Sequence, residues 1–279
     1  MFSSNQDLIR ISTGIEGLDR MLDGGLIAGR QYLLVGDPAS GRSTIGGHFL
    51  MAGIRHGEDV LYVAIDSSPT DIRACMNSFG WDFGKIVILN AHPKVREYKV
   101  RGSVIEVSSQ RTVGAMGEME EWDKASQQQA AVTPDISLPT LQLMLQKELE
   151  SRSYDRILID SIASLRMFGV EEVQWEIGIN SLFRLLAEEG VTTLMISDVP
   201  DADEPVRAEF FLSRGLIRTI RTIVGGRTYR GIFIEKFRGS AHDNNIRPMR
   251  IASNGIQVDA DKMLPPSVLT EIARLFPRP

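Results

Sequence analysis

Uninterrupted apolar runs along the chain alternate with longer stretches in which apolar residues recur at helical spacing. The apolar runs are short and typical of strands that are buried on both faces of a sheet. They predict strands at residues 32–35, 59–66, 85–90, 154–161 and 192–197. Helices are predicted between them, at residues 45–56, 69–79, 138–151 and 172–189. Because strands and helices alternate, we expect an α/β fold with a mostly parallel twisted sheet and helices on both faces.

The pattern becomes antiparallel toward the carboxyl end of the chain. Gly215–Val224 and Tyr229–Phe237 flank two glycines and predict a β-hairpin. Further short strands near Met249–Ile251 and Ile256–Val258 extend this antiparallel edge. A tail helix is predicted within residues 262–279. The sequence therefore predicts an antiparallel C-terminal extension of the parallel sheet.

Residues 93–135 show no sustained period of either kind. Within them, Val104–Val107 has the pattern of a hairpin strand. We interpret this stretch as a variable excursion from a single domain that spans residues 1–279. An N-terminal segment, residues 1–30, precedes the first predicted strand of the sheet.

The composition is that of a soluble globular chain. The sequence has 279 residues, of which 43% are hydrophobic and 24% are charged, and its formal net charge is −5. This acidic balance does not favour nucleic acid as a partner. The single cysteine, Cys75, excludes an internal disulfide. The N-terminus lacks the apolar core of a signal peptide, and no apolar run approaches the ~18 residues of a membrane helix. We therefore expect a cytoplasmic protein without membrane insertion.

A glycine-rich stretch between the first sheet strand and the helix after it has the pattern of a phosphate-binding loop. It consists of Gly36, Asp37, Pro38, Ala39, Ser40, Gly41, Arg42, Ser43 and Thr44. The glycines let the backbone curl so that several N–H groups point at one anion, and the helix N-terminus adds positive potential. A glycine-rich turn without a ligand would not require a strand before it and a helix after it. The stretch therefore predicts a nucleotide-binding site.

Two positions of this loop bear directly on its chemistry. The motif G-x-x-x-x-G-K-[ST] has a lysine where this chain has Arg42. A planar guanidinium can neutralise phosphate, but it cannot place a point charge between the β- and γ-phosphates as an ammonium does. We therefore expect binding to survive and hydrolysis to suffer. Ser43 fits the position of a magnesium ligand.

Two aspartates follow predicted strands. Asp160 ends the fourth strand, where an acid helps to hold the magnesium ion; the alternative is that it caps the next turn. Asp66 ends the second strand, where an acid can orient the attacking water. An ordinary loop aspartate is an equal alternative for Asp66, and the sequence pattern does not decide between them.

Two cations lie near the end of the second hairpin strand. Lys236 and Arg238 are two residues apart, so an extended chain places them on the same face. Cations near a subunit edge can reach a neighbouring subunit's phosphates, as an arginine finger does. On spacing alone, a solvated basic strand end is the stronger interpretation.

Together these motifs resemble the KaiC family of RecA-like ATPases and, more loosely, RadA and the archaeal motor protein FlaH. Residues 12–19 read S-T-G-I-E-G-L-D, and Gly24–Leu26 matches the family's G-G-[IL] turn. Ser78–Asp82 reads S-F-G-W-D, and Phe237–His242 reads F-R-G-S-A-H. These last two motifs separate the family from other phosphate-loop proteins. The matches run from about residue 11 to residue 258.

The resemblance implies a RecA-like P-loop core with one KaiC-like domain, rather than the tandem pair of the clock protein. It implies ATP and Mg²⁺ as ligands. It also implies a ring, commonly a hexamer, in which nucleotide lies between subunits. In such a ring Lys236 and Arg238 would contact the phosphates bound by the neighbouring subunit.

The chain departs from the family's pattern mainly at residues of hydrolysis and phosphoryl transfer. Ala39 replaces a loop glycine, Arg42 replaces lysine, Asp66-Ser67 replaces Glu-Glu, Phe210-Phe211 replaces the clock kinase's Ser-Thr phosphorylation pair, and Arg214 replaces an acid. Phenylalanine cannot be phosphorylated, which argues against autokinase activity. These departures lead us to expect a low ATPase activity.

Four hypotheses follow. The leading one is a regulatory ATP-binding protein that forms a nucleotide-dependent ring, hydrolyses ATP weakly or not at all, and acts on a protein partner that the sequence does not identify. The second is a fully active ATPase of the same family. The third is a RadA-like DNA-binding recombinase. The feature in its favour is a basic cluster at Arg96, Lys99, Arg101 and Arg111. The fourth is a scaffold with a vestigial pocket.

Overall fold

The computed structural model describes residues 8–92, 136–166, 171–200 and 206–275. The excursion at residues 93–135, with its suggested strand at 104–107 and its basic cluster, lies outside the described residues. Within the described part, no helix is both long and apolar enough to cross a membrane.

The fold is organised around a mixed sheet. A small antiparallel pair precedes it, formed by β1 (Arg10–Ile11) and β2 (Leu26–Ile27). Among the described residues the main sheet has nine strands. From edge to edge they are β11 (Gly255–Val258), β10 (Arg247–Ala252), β9 (Arg227–Phe237), β8 (Gly215–Val224), β3 (Gln31–Gly36), β7 (Thr192–Ser197), β6 (Arg156–Asp160), β4 (Val60–Ala64) and β5 (Val87–Asn90). The six strands from β8 to β5 are parallel and the remaining pairs are antiparallel, which confirms the predicted fold class.

Helices connect the strands and cover the sheet. In chain order they are α1 (Glu16–Met21), α2 (Arg42–Arg55), α3 (Pro69–Asn77), α4 (Leu138–Ser151), α5 (Ala163–Arg166), α6 (Glu172–Glu188), α7 (Ala208–Leu212) and α8 (Pro266–Leu275), with a 3₁₀ turn at Phe83–Lys85. Ser68 caps α3 by accepting the N–H of Asp71, with Pro69 as the first helical residue. Ser137 caps α4 in the same way.

Several predicted strands begin one or two residues away from where the sequence indicates, and two of these shifts have a local cause. The second hairpin strand begins at Arg227, because Gly225 and Gly226 both adopt positive φ and close a two-residue turn immediately after Val224. The predicted strand at 85–90 begins only at Val87, because the 3₁₀ turn at Phe83–Lys85 takes up its first residue.

Apolar side chains form a core on each side of the sheet. On one side α1, α2 and the β10–β11 hairpin contribute buried residues such as Leu18, Phe49 and Ile256. On the other side α4 and α6 contribute Leu141 and Trp175. A smaller third cluster lies between the β8–β9 hairpin and the tail helix α8. The central parallel strands carry uninterrupted apolar runs, such as Ile157–Ile159 on β6, and both faces of these runs are covered.

Helix α2 lies unusually close to the sheet. A Cβ added at Gly46 would come within 2.6 Å of a methyl carbon of Leu158 on β6, so no larger residue fits without a shift. At the far end of the helix, the fully buried Arg156 forms a salt bridge with Glu58 and donates to the backbone oxygens of Ser12 and Phe49. These contacts fix α2 relative to β6 at Gly46 and at Phe49.

His48 joins α2 to the C-terminal hairpin. Its Nε2 accepts the N–H of Ile256 at 2.8 Å, and its ring contacts the edge of Trp81 with centroids 4.5 Å apart. Burial, and secondarily the positive charge of Arg55, lowers the pKa of His48 to about 4. The neutral ring is therefore the form that this packing holds.

We expect acid to weaken the fold through His48. An unfolded histidine titrates near 6.5, so between pH 6.5 and pH 4 the unfolded state binds a proton that the folded state does not. The contribution of His48 is complete above pH 6.5 and is lost as the pH falls to 4, a decrease of about 3 kcal/mol in the free energy of unfolding.

Denaturant unfolding at pH 7 and pH 4.5 measures this loss when wild type is compared with His48→Asn. The variant is expected to start from a lower stability but to lose less of it on acidification, since its amide does not titrate. Equal losses in the two proteins would contradict the assignment.

Candidate functional site

The predicted phosphate loop begins in the middle of the sheet. Strand β3 pairs on one side with β7 and on the other with β8, and all three run parallel. The last residue of β3, Gly36, lies opposite Thr219. A Cβ added at Gly36 would come within 2.0 Å of the Thr219 hydroxyl oxygen and 2.5 Å of its backbone oxygen, so only glycine fits there. The chain therefore leaves the sheet at the carboxyl ends of its central strands, where ligands bind in open α/β sheets.

The loop turns through two residues with left-handed backbone conformation. Gly41, which immediately precedes α2, has φ 102°. Ala39 has φ 60° and is one of two non-glycine residues with positive φ in the described chain. The family that the sequence resembles has a glycine at this position. The loop therefore keeps the conformation that suits glycine, although this conformation is costly for alanine.

Side chains on the loop attach it to β8. The hydroxyls of Ser40 and Thr219 are 2.7 Å apart, and both residues are buried. The carboxylate of Asp37 accepts the backbone N–H of Arg221 at 3.0 Å. These bonds hold both the start and the centre of the loop, which leaves its backbone curled at the N-terminus of α2.

Arg42 is the first residue of α2, and its guanidinium turns toward β7. Nη1 donates to the backbone oxygen of Ser197 and to Oδ1 of Asp198, both at 2.5 Å. The arginine side chain is 14% exposed and the aspartate 52%. Because both acceptors lie at the carboxyl end of the strand next to β3, the cation stays beside the loop but is bound to a carboxylate of the protein.

Asp160 ends β6 and meets the loop from the opposite side. Its carboxylate accepts a hydrogen bond from Tyr62 on β4 at 2.5 Å, and the hydroxyl of Ser43 lies close enough to lower its pKa. Burial raises the pKa of Asp160, and the two hydroxyl donors oppose that rise. The structure thus brings together Ser43 and Asp160, the two residues predicted to hold magnesium.

Asp66 lies beside Asp160, just after β4. Its backbone N–H donates to the backbone oxygen of Asp160 at 3.3 Å, and its carboxylate accepts the hydroxyl of Ser164. Unlike Asp160, Asp66 is exposed. A carboxylate in this place can accept a proton from water at the edge of the site, although Ser164 occupies one of its oxygens.

These donors fit a nucleotide with Mg²⁺. Magnesium in such sites is bound through one or two carboxylates or hydroxyls together with substrate phosphates and water. Ser43 and Asp160 supply such oxygens, and the curled loop supplies N–H groups for phosphate. No cluster of three or more His, Cys, Asp or Glu able to hold a metal by itself occurs in the described residues.

Lys236 and Arg238 lie far from the loop of their own chain. Lys236 pairs with Leu216, which pairs with Leu33, three residues before Gly36. The separation from Gly36 is therefore roughly 10 Å along the strands and roughly 10 Å across them. Lys236 donates to the backbone oxygen of Phe210, and burial together with Arg238 lowers its pKa to about 8. Arg238 is exposed just beyond the end of β9.

The phenylalanine pair lies near these cations, on α7. Phe210 is buried against the core, whereas Phe211 is 59% exposed. Arg214, two residues after α7, is exposed.

The sequence did not single out three residues that shape the site. They are Tyr62 on Asp160, Thr219 on the loop, and Asp198 on Arg42. Asp198 was within reach of the sequence, because it follows a buried strand and the carboxyl ends of parallel strands meet at one edge. Tyr62 and Thr219 carry no comparable local signal.

We expect Ala39→Gly to leave the fold unharmed. The left-handed conformation costs an L-residue roughly 1–2 kcal/mol, whereas glycine costs roughly 0.5–1 kcal/mol through the entropy of the unfolded chain. The free energy of unfolding should therefore stay constant or rise by up to about 1 kcal/mol.

Ala74→Gly, at an exposed position inside α3, is the matched control and should lower stability by about 1 kcal/mol. Chemical denaturation of both variants checks this expectation. A loss at Ala39 equal to that at Ala74 would show that the backbone at Ala39 is not strained.

The chain resembles known proteins over most of its length. A family model described as the KaiC ATPase matches residues 11–263. A UPF0273 protein of Methanopyrus kandleri is 27% identical over 263 residues, covering 91% of this chain and 93% of that protein. The circadian clock oscillator protein KaiC of Parasynechococcus marenigrum is 29% identical over 92% of this chain, which spans 46% of that longer protein.

A solved structure agrees with these sequence comparisons. The crystal structure of a KaiC-like protein from Pyrococcus horikoshii OT3 superposes with a TM-score of 0.69 at 25% identity, covering 90% of this chain and 99% of that one. The loop, the acids beside it and the match to the family model over residues 11–263 lead to one conclusion: the chain belongs to the KaiC family of RecA-type ATPases.

Proposed function

We propose that this protein binds ATP with Mg²⁺ and assembles into a nucleotide-dependent ring with a regulatory role, and that it hydrolyses ATP slowly. The observation that carries the proposal is the set of contacts that the Arg42 side chain makes. The loop has the curled backbone that cradles phosphate, yet its basic residue is bound to Asp198 and to the backbone oxygen of Ser197. Phosphate binding by the loop is thus supported, while charge stabilisation during phosphoryl transfer is weakened.

The chain's own residues have distinct roles in this proposal. Backbone N–H groups from Gly36 to Thr44 hold the phosphates. Ser43 and Asp160 hold Mg²⁺, and Tyr62 orients the Asp160 carboxylate. The ion, when bound, neutralises charge on the phosphate oxygens. Asp66 positions water at the exposed side of the site.

Arg42 explains why transfer would be slow. To meet a developing charge on the γ-phosphate, its guanidinium must leave two acceptors that hold it from the β7 side. A lysine ammonium is compact and makes its contacts one at a time, whereas the planar fork is fixed by its geometry. Position 42 therefore favours binding over turnover.

The ring is supported by where Lys236 and Arg238 lie. They are too far from their own loop to contact phosphates bound there, so a role in nucleotide binding requires a second subunit. Family resemblance supplies the expectation of a hexamer. We further propose that the ring is cytoplasmic and acts on a protein partner that the sequence does not identify.

A fully active ATPase is the second candidate, and one specific observation favours it. Asp66 and Ser43 both lie close to Asp160, and all three carry oxygens of the kind that hydrolysis uses. If the guanidinium of Arg42 stabilises the transferring phosphoryl group as well as a lysine ammonium would, turnover would be normal for the family.

Arg42→Lys is expected to raise steady-state phosphate release at least about tenfold, because an ammonium restores the point charge on the transferring group. Arg55→Lys, the same substitution at the exposed far end of α2, is the matched control and should change nothing. Asp66→Asn in the Arg42→Lys background should abolish the gain. Wild-type release as fast as that of Arg42→Lys would favour the fully active ATPase.

ATP with Mg²⁺ is expected to convert the wild-type protein into a ring, as measured by mass photometry with and without the nucleotide. Arg238→Gln should require about tenfold more protein for the same ring population, since a charge-assisted contact across the interface is lost. Arg274→Gln on α8 serves as the control, because Arg274 pairs with Glu271 within its own helix. Assembly that is indifferent to nucleotide would contradict the proposal and favour a scaffold.

A further inference from the structure

Arg10 on β1 is bound to the turn that joins α1 to β2. Its Nη1 donates to the backbone oxygen of Leu22 at 2.7 Å and to that of Gly25 at 3.0 Å. The carboxylate of Asp23, in the same turn, lies 3.4 Å from Nη2. Because the guanidinium is planar, the bonds at Nη1 also fix the direction in which Nη2 points.

The same guanidinium contacts the chain at the end of β9. Its Nη2 donates to the hydroxyl of Ser240 at 2.5 Å, although the two residues are 230 positions apart. Its Cζ lies 5.8 Å from the ring centre of Phe237, the last residue of β9. The side chain of Arg10 is 23% exposed, so water screens these contacts only in part. Arg10 therefore joins the N-terminal segment to the residues that follow β9.

The residues that follow β9, 238–243, are named the connecting segment. Backbone hydrogen bonds hold both of its ends. The N–H of Arg238 donates to the backbone oxygen of Arg214 at 2.9 Å, and the N–H of Asp243 donates to that of Met21 at 2.8 Å. The segment is thus attached to the sheet at its start and to α1 at its finish.

The middle of the connecting segment is held differently. Within the part of the chain that the structure describes, residues 239–242 form no backbone hydrogen bond. Gly239 is exposed and has φ 86°, a left-handed conformation that glycine adopts readily. The bond from Arg10 to Ser240 therefore restrains a turn that the sheet does not hold. Since Gly239 and Ser240 directly follow Arg238, this restraint also bears on the direction of the Arg238 side chain.

We propose that Arg10 is a positioning residue for Arg238, which it directs toward the nucleotide bound by the neighbouring subunit of the ring. The inference rests on the proposed function, because it requires the ring. The Nη donors of Arg10 are all used within its own chain, so Arg10 holds the turn and does not itself bind phosphate. Without this restraint the turn would have to become ordered when subunits meet, and assembly would carry that entropy cost.

Two variants remove the contact from opposite sides, and a third is the matched control. Arg10→Gln removes the guanidinium, and Ser240→Ala removes the hydroxyl that accepts its bond. Arg20→Gln makes the same substitution in the N-terminal segment, at an arginine that pairs with Asp261 instead. Thermal melting establishes that each variant is folded before assembly is compared.

Mass photometry with ATP–Mg²⁺ measures the effect on assembly. Arg10→Gln is expected to need about fivefold more protein than wild type for the same ring population, because one restraining hydrogen bond is lost. This shift is smaller than that of Arg238→Gln, since Arg238 remains and loses only its preferred direction. The double variant with Ser240→Ala should assemble no worse than the weaker single variant, because both changes remove one shared contact. Arg20→Gln should assemble as wild type does.

Hydrogen exchange of the nucleotide-free protein is an independent measurement, because it requires no ring. The bonded amides of Arg238 and Asp243 should exchange about fivefold faster in Arg10→Gln, since the turn between them is less restrained. In Arg20→Gln both amides should exchange at the wild-type rate. Unchanged exchange at both amides of Arg10→Gln would show that Arg10 does not hold the segment.

The assembly measurements separate failure of this inference from failure of the proposed function. Arg10→Gln that assembles at wild-type concentrations, or additive effects in the double variant, would overturn the role of Arg10 and leave the proposed function intact. Wild-type protein that forms no ring with ATP–Mg²⁺ would refute the proposed function and, with it, the role of Arg10 in assembly.

Discussion

The site depends on the absence of a side chain at Gly36. Strand β8 lies so close to this residue that its backbone and the Thr219 hydroxyl fill the place of a Cβ. This approach lets Thr219 contact Ser40 and lets the backbone of Arg221 contact Asp37, so the loop is fixed to β8 on one side. On the other side, Asp160 reaches Ser43 from β6. The loop is thus held by strands that are distant in sequence, and its curl follows from sheet packing as much as from its glycines.

Two of the loop's departures from the family pattern have different physical consequences. Ala39 keeps the backbone in the conformation that glycine would adopt, so the change costs stability but not shape. Arg42 keeps the positive charge but changes its position, because Asp198 and the backbone of Ser197 hold it toward β7. The backbone geometry for phosphate binding is therefore retained at Ala39, whereas the position of the positive charge is altered at Arg42.

Local patterns predicted most of the architecture. Helix α4 has the bounds that its apolar spacing indicates, and the phosphate loop lies between the strand and helix that the sequence predicts. Contacts that depend on sheet order were out of reach, because β3 lies between β7 and β8 and neither neighbour is adjacent in sequence. Tyr62 on Asp160 and Thr219 on Ser40 join residues about 100 or more positions apart, and only the strand register brings them together.

The ion pair between Arg42 and Asp198 competes with phosphate for the guanidinium, but this competition is weak. Asp198 is about half exposed, and a partly exposed ion pair contributes about 1 kcal/mol or less. The phosphates of ATP with Mg²⁺ carry more charge than one carboxylate and are held by several N–H groups at once. The contacts of the bound phosphates can therefore compensate for the release of Arg42 from Asp198. The cost falls instead on transfer, where a guanidinium arriving from β7 must match a charge that develops at one fixed point.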